Sequence, residues 1–150
     1  MPRHFLAKLR QLTPGEWRDL LRAQAALMVA QGIVWTRARG SLVSVSASAA
    51  TEQLGAADRA RQLGVAVHRA AAYGPLRVSC LVRAIALTRM LERSGIHGAR
   101  VCVGGRRQSG TFVAHAWVEY GNLVLGDGPS YVRSFDRIGE VNVLPGSGMQ

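Results

Sequence analysis

The sequence predicts an α+β fold, with N-terminal helices and a central buried helix packed on a small antiparallel sheet. Three observations carry this expectation. Apolar residues recur at helical spacing as far as Leu91. From Arg100 onward the pattern changes to short apolar runs divided by turn residues. Helix start and stop residues fall at the junctions, at Thr13-Pro14-Gly15-Glu16, at Ser79-Cys80 and at Gly95.

Taken in order, Phe5, Leu6, Leu9 and Leu12 have the spacing of a first helix. Thr13, Pro14 and Glu16 then form a capping box, so a second helix is expected from Pro14 to about Val34, burying Trp17, Leu20, Leu21, Leu27 and Met28. Residues 40–51 are small and serine-rich and read as an extended loop, with a weak strand signal at 42–45. A third helix spans 57–72, with Ala60, Leu63, Val67 and Ala71 inside and His68 as a structural residue near that stripe. Tyr73-Gly74-Pro75 ends it. Ser79 caps a fourth, central helix that closes at Gly95. Strands are expected at 100–104, 112–120 and 123–127, with a polar loop over 106–111 and a further short strand over 131–135. The chain thus reads as one domain, 1–150: a helical lead-in over 1–72, a core over 73–140 and a flexible tail over 141–150.

A chain of 150 residues that is 48% hydrophobic and 19% charged can bury a working core and is not of the disordered class. The net charge of +10 comes almost wholly from arginine. No long basic run occurs and aromatics do not interleave with the arginines, so a nucleic-acid platform is not indicated. The N-terminus lacks a secretory apolar core, and the most apolar early stretch is broken by Gln31 and Gly32. A cytoplasmic protein without stable membrane insertion is expected, and Cys80 and Cys102 are expected as free thiols.

The chemistry-bearing residues are Cys80, His115 and Asp127. A helix start favours negative charge, which suits a thiolate at Cys80, whereas Cys102 lies mid-strand between Val101 and Val103 and reads as core. His115 shares a strand face with Val113, Trp117 and Glu119. A three-residue loop at Tyr120-Gly121-Asn122 would set His115 opposite Asp127 on one face. A two-residue turn at Gly121-Asn122 would turn Asp127 to the wrong face. Cysteine, histidine and aspartate in this order suit a nucleophile, its base and the base's orienter. Trp117 could cover the pair and contact substrate, and the Cys80 backbone N–H could serve an oxyanion. If Asp127 faced away, Asp136 would be the next carboxylate. A zinc site from the same trio is a weaker reading, since no short paired spacing occurs.

The segments Cys80-Leu81-Val82-Arg83-Ala84-Ile85-Ala86-Leu87, Ser94-Gly95-Ile96 and His115-Ala116-Trp117-Val118-Glu119 resemble the leader peptidase of lasso-peptide biosynthesis, a cysteine protease with a transglutaminase-like, papain-like core. The resemblance is sharp from Cys80 to Asp127 and looser before it. It implies a Cys80–His115–Asp127 triad without cofactor or metal, cutting a ribosomally made precursor between leader and core. The short length resembles the split form. This implies the precursor peptide and a separate leader-binding recognition-element protein as partners, with the lasso cyclase acting alongside. Docking of that partner is expected around Trp17, Leu21 and Met28. An acyl transferase or amidase with the same triad, and a non-catalytic binding module, are the alternatives.

Overall fold

The computed structural model describes residues 10–36 and 55–141. The strand signal at 42–45, the tail beyond 141 and residues 5–9 of the first expected helix lie outside the described residues, and residues 10–12 of that helix are not helical.

Helix α1 (Pro14–Thr36) starts where the capping box predicts. The Thr13 backbone N–H donates to Glu16 Oε2 at 2.8 Å and the Glu16 N–H donates to Thr13 Oγ1 at 3.3 Å. Its buried residues are Asp19, Ala23, Leu27 and Ala30, with Leu20 partly covered. Trp17, Leu21 and Met28, expected inside, stand 40%, 66% and 55% exposed among the described residues. The small side chains of Ala23 and Ala30 form the contact face instead, because they let the backbones of neighbouring helices approach closely. Helix α2 (Ala56–Tyr73) buries Ala60, Leu63, Ala66, Val67 and Ala70 and ends at Gly74, whose N–H donates to the Ala70 carbonyl. Asp19 joins the two helices through a bidentate bond with Arg59.

Helix α3 (Cys80–Arg93) is the central element and buries eight residues, Val82, Ala84 to Thr88, Met90 and Leu91. It closes in a Schellman motif: Gly95 sits at φ 77°, its N–H donates to the Glu92 carbonyl, and the Ile96 N–H donates to the Leu91 carbonyl at 2.9 Å.

The sheet contains β1 (Arg100–Gln108), β2 (Thr111–Tyr120), β3 (Leu123–Leu125) and β4 (Asp136–Val141) in the order β3-β2-β1-β4, with every neighbouring pair antiparallel. The short helix α4 (Pro129–Val132) lies between β3 and β4. Two expectations are corrected, and one strand is found that was not expected. The polar loop over 106–111 is a two-residue turn, Ser109-Gly110, with both residues at positive φ (50° and 81°) as a type I′ hairpin requires, and β1 runs on to Gln108. The strand expected over 131–135 is replaced by α4, because Pro129 presets the first helical position after Gly128. β4, which lacks a strand-like apolar run, pairs with the opposite edge of β1 through a bulge at Val103/Gly104.

The core lies between the helices and one face of the sheet. β2 gives Ala116, Val118 and Tyr120 to it, β1 gives Val101, and β3 gives Leu125. The other sheet face carries a smaller cluster of Cys102, Trp117, Val132 and Phe135. Among the described residues no helix is long and apolar enough to cross a membrane.

The Asp19–Arg59 pair links stability to pH. The Arg59 hydrogen bonds hold the Asp19 carboxyl below its ordinary range, outweighing the opposing effect of burial. A depressed folded value stabilises the protein above the unfolded carboxylate pKa of about 3.9, and the contribution disappears as pH falls through the folded value. Asp19→Asn should lower unfolding stability at neutral pH by about 1–3 kcal/mol and flatten the acid side of the stability profile. Chemical denaturation across pH reads both, and an unchanged midpoint would contradict the role given to this pair.

Candidate active site

Cys80 is the first residue of α3. Ser79, in an extended conformation, caps the helix by accepting from the Val82 N–H at 3.3 Å, and its carbonyl accepts from the Arg83 N–H. The N–H groups of Cys80 and Leu81 lie outside the helix's own ladder, as the first amides of any helix do. The thiol is half-buried, at the margin of the helix-side core. Cys102 is fully buried and its thiol is pushed up to about 12, by burial first and then by the Glu119 carboxylate. Cys80 is thus the more exposed of the two thiols, and Cys102 lies in the core as expected.

His115 stands on β2 opposite Gly104 and is 7% exposed. Its Nε2 lies 3.1 Å from Asp127 Oδ2. An ionised carboxylate only accepts, so Nε2 carries the proton in this contact and a neutral ring keeps its lone pair on Nδ1. The pairing agrees with the sequence-based expectation, but the register does not. Tyr120 pairs with Leu123 across a two-residue turn, with Gly121 at φ 55°, and Val118 pairs with Leu125. That turn was expected to face Asp127 away from His115. It does not, because β3 stops at Leu125 and Gly126, at φ 80°, takes the chain off the strand before Asp127. Helix α2 fits closely behind this bend: a Cβ on Gly64 would come within 3.0 Å of Gly126 N.

The imidazole is covered by rings. Trp117 lies nearly parallel to it at 6.2 Å between centroids, Tyr131 meets it edge-on at 5.1 Å, and Phe135 lies at 5.2 Å. The Arg106 guanidinium sits over Phe135 at 4.5 Å and donates to Ser134 Oγ. Trp117 fits because β1 carries glycine beside it. A Cβ on Gly104 would stand 2.9 Å from the indole. The indole N–H donates to Glu119 at 2.9 Å, and Glu119 in turn accepts from Arg137. Burial pushes the Glu119 carboxyl up, but the hydrogen bonds from Arg137 and Trp117 outweigh it and hold the group below its ordinary range.

His115 and Asp127 are therefore in contact, while Cys80 stands at the start of α3 against the helix-side core. Cys80, Arg83, His68, Trp117, Gly126 and Asp127 line one narrow cleft. Among the described residues no hydrogen bond joins Cys80 to His115. Catalytic contacts of this kind are often long before substrate binds. Asp136, the fallback carboxylate, lies on β4. Among the described residues no three His, Cys, Asp or Glu side chains form a group that could hold a metal ion.

Two cleft residues go beyond the sequence-based site. His68, expected as a structural residue near the buried stripe of α2, is exposed at the cleft. Arg83 was read only as part of the α3 run. Its Nη2 lies 3.9 Å from Asp127 Oδ1, and the available signal was a single charge inside the apolar run Leu81 to Leu87.

Residues 7–140 match the family described as Transglutaminase-like superfamily, and the chain belongs to that superfamily. Its members are typically Cys-His-Asp enzymes, cysteine proteases or acyltransferases. No curated protein and no solved structure matches the chain.

Iodoacetamide at neutral pH should label Cys80 in the folded protein and leave Cys102 unlabelled until denaturant is added, read by peptide mass spectrometry. Native labelling of both cysteines at comparable rates would contradict the burial of Cys102.

Proposed function

We propose that this member of the transglutaminase-like superfamily is a cysteine peptidase that removes the leader from a ribosomally made lasso precursor. Cys80 attacks the carbonyl at the leader/core junction, His115 takes and returns the proton, and Asp127 orients the imidazole. The observation that carries the reading is the 3.1 Å contact between His115 and Asp127 beside the cleft that Cys80 opens onto. The resemblance over Cys80 to Asp127 supplies the substrate class.

Each step uses groups already described. The Cys80 thiolate adds to the peptide carbonyl, and the Cys80 N–H is placed to meet the developing oxyanion. The imidazolium then protonates the departing amine, freeing the core peptide and leaving the leader as a thioester on Cys80. Water, deprotonated by the imidazole, hydrolyses the thioester and restores the thiol. Trp117 and the rings around His115 keep that proton transfer dry. No step draws on a metal or a cofactor.

The reading includes a separate leader-binding protein that delivers the precursor, so that binding energy from the leader places the scissile bond. Its docking is assigned to α1, where Trp17, Leu21 and Met28 stand exposed among the described residues.

The test is cleavage of the precursor peptide with and without the leader-binding protein, followed by mass spectrometry. Cys80→Ala should abolish cleavage with the fold intact, and Asp127→Asn should lower turnover by roughly two to four orders of magnitude. Cleavage by Cys80→Ala at the wild-type rate would overturn the reading. Release of an amide in the presence of a primary amine, in place of the free acid, would move it to acyl transfer.

A further inference from the structure

We infer that Arg83 is a positioning residue for Asp127, and through it for His115, an inference that rests on the triad reading above. Arg83 stands in the first turn of α3. It is the fourth residue of α3, so its charge lies at the positive end of the helix, where a cation is disfavoured. Its neighbours are apolar: Leu81, Val82, Ala84, Ile85, Ala86 and Leu87. Its side chain is 27% exposed, so much of the guanidinium's hydration is lost. A charge in such a place needs a compensating partner. Among the described residues the only ionic partner of Arg83 is the Asp127 carboxylate, 3.9 Å away and itself 16% exposed.

The carboxylate is divided between two elements. Oδ2 meets His115 Nε2, on the sheet face away from the helices, and Oδ1 faces Arg83, on the helix that carries Cys80. Asp127 follows a glycine bend with no strand partner of its own, so the backbone alone does not fix its rotamer. Two attachments on opposite oxygens do. At 3.9 Å the Arg83 contact is an ionic attraction, not a hydrogen bond, and it holds the carboxylate turned so that Oδ2 remains on the imidazole. Arg83 is one helical turn beyond Cys80, so the same contact ties the helix of the nucleophile to the acid that orients its base.

The experiment compares wild type with Arg83→Met, which keeps the length and removes the charge, and Arg83→Lys, which keeps the charge. Two rates are read: iodoacetamide alkylation of Cys80 at neutral pH, which needs no substrate, and precursor cleavage. Arg83→Met should lower kcat and slow alkylation by roughly 10- to 100-fold with KM within about threefold, the loss expected of a misplaced catalytic group. Arg83→Lys should recover most of both. If Arg83→Met fails to fold, Arg83→Gln takes its place in the same comparison. Wild-type rates in the neutral variant, or an equal loss in Arg83→Lys, would overturn the inference. If wild type alkylates at Cys80 but leaves the precursor uncut, the peptidase reading fails, and the role of Arg83 is decided by the alkylation rates alone.

Discussion

The candidate site depends on a single carboxylate placed at a sheet edge. Leu125 belongs to the helix-side core, and a continued β3 would have carried Asp127 to that same face, away from His115. The left-handed turn at Gly126 ends the alternation, and Asp127 comes to rest where both faces are within reach. A side chain at Gly126 would meet the steric cost of positive φ, about 1–2 kcal/mol. Helix α2 leaves room for the bend only because Gly64 stands against it. The His115–Asp127 contact is thus a consequence of two glycines and a truncated strand more than of cross-strand pairing.

This explains how the sequence could predict the contact and miss its cause. The caps at Thr13, Ser79 and Gly95 were legible because each is satisfied by hydrogen bonds within a few residues of chain. The pairing of His115 with Asp127 was legible from chemistry, since a histidine in an apolar strand needs a partner for its ring nitrogens. The hairpin register was not, because a two-residue and a three-residue loop are both compatible with Tyr120-Gly121-Asn122. The buried face of α1 is legible at Leu27 and Leu20 but not at Trp17, Leu21 and Met28, where bulk does not bring burial. Close helix packing instead selected Ala23 and Ala30, together with an aspartate whose partner lies forty residues away. β4 is not legible because the side chains that accompany its backbone ladder with β1 are charged: Arg137 meets Glu119, and Glu140 meets Arg100 at 3.1 Å. Read without partners, Asp136, Arg137, Gly139 and Glu140 look like a loop.

The two faces of the sheet are packed differently. On the helix side, Val101, Ala116, Val118 and Tyr120 complete the main core and bear no reacting group. On the far side, His115 is enclosed by Trp117, Tyr131 and Phe135, and Trp117 is held by Glu119, which is held by Arg137 on β4. An edge strand that is poor in apolar residues therefore has a physical reason to be present. Its arginine keeps a half-buried carboxylate charged, and that carboxylate fixes the indole beside the imidazole. From the helix side Arg83 faces the other oxygen of Asp127 at 3.9 Å, and its charge has no other ionic partner among the described residues. The imidazole is thereby constrained from both layers of the fold. Its orientation follows from how helix and sheet are packed, and a change in either layer reaches the imidazole through one of these two ionic links.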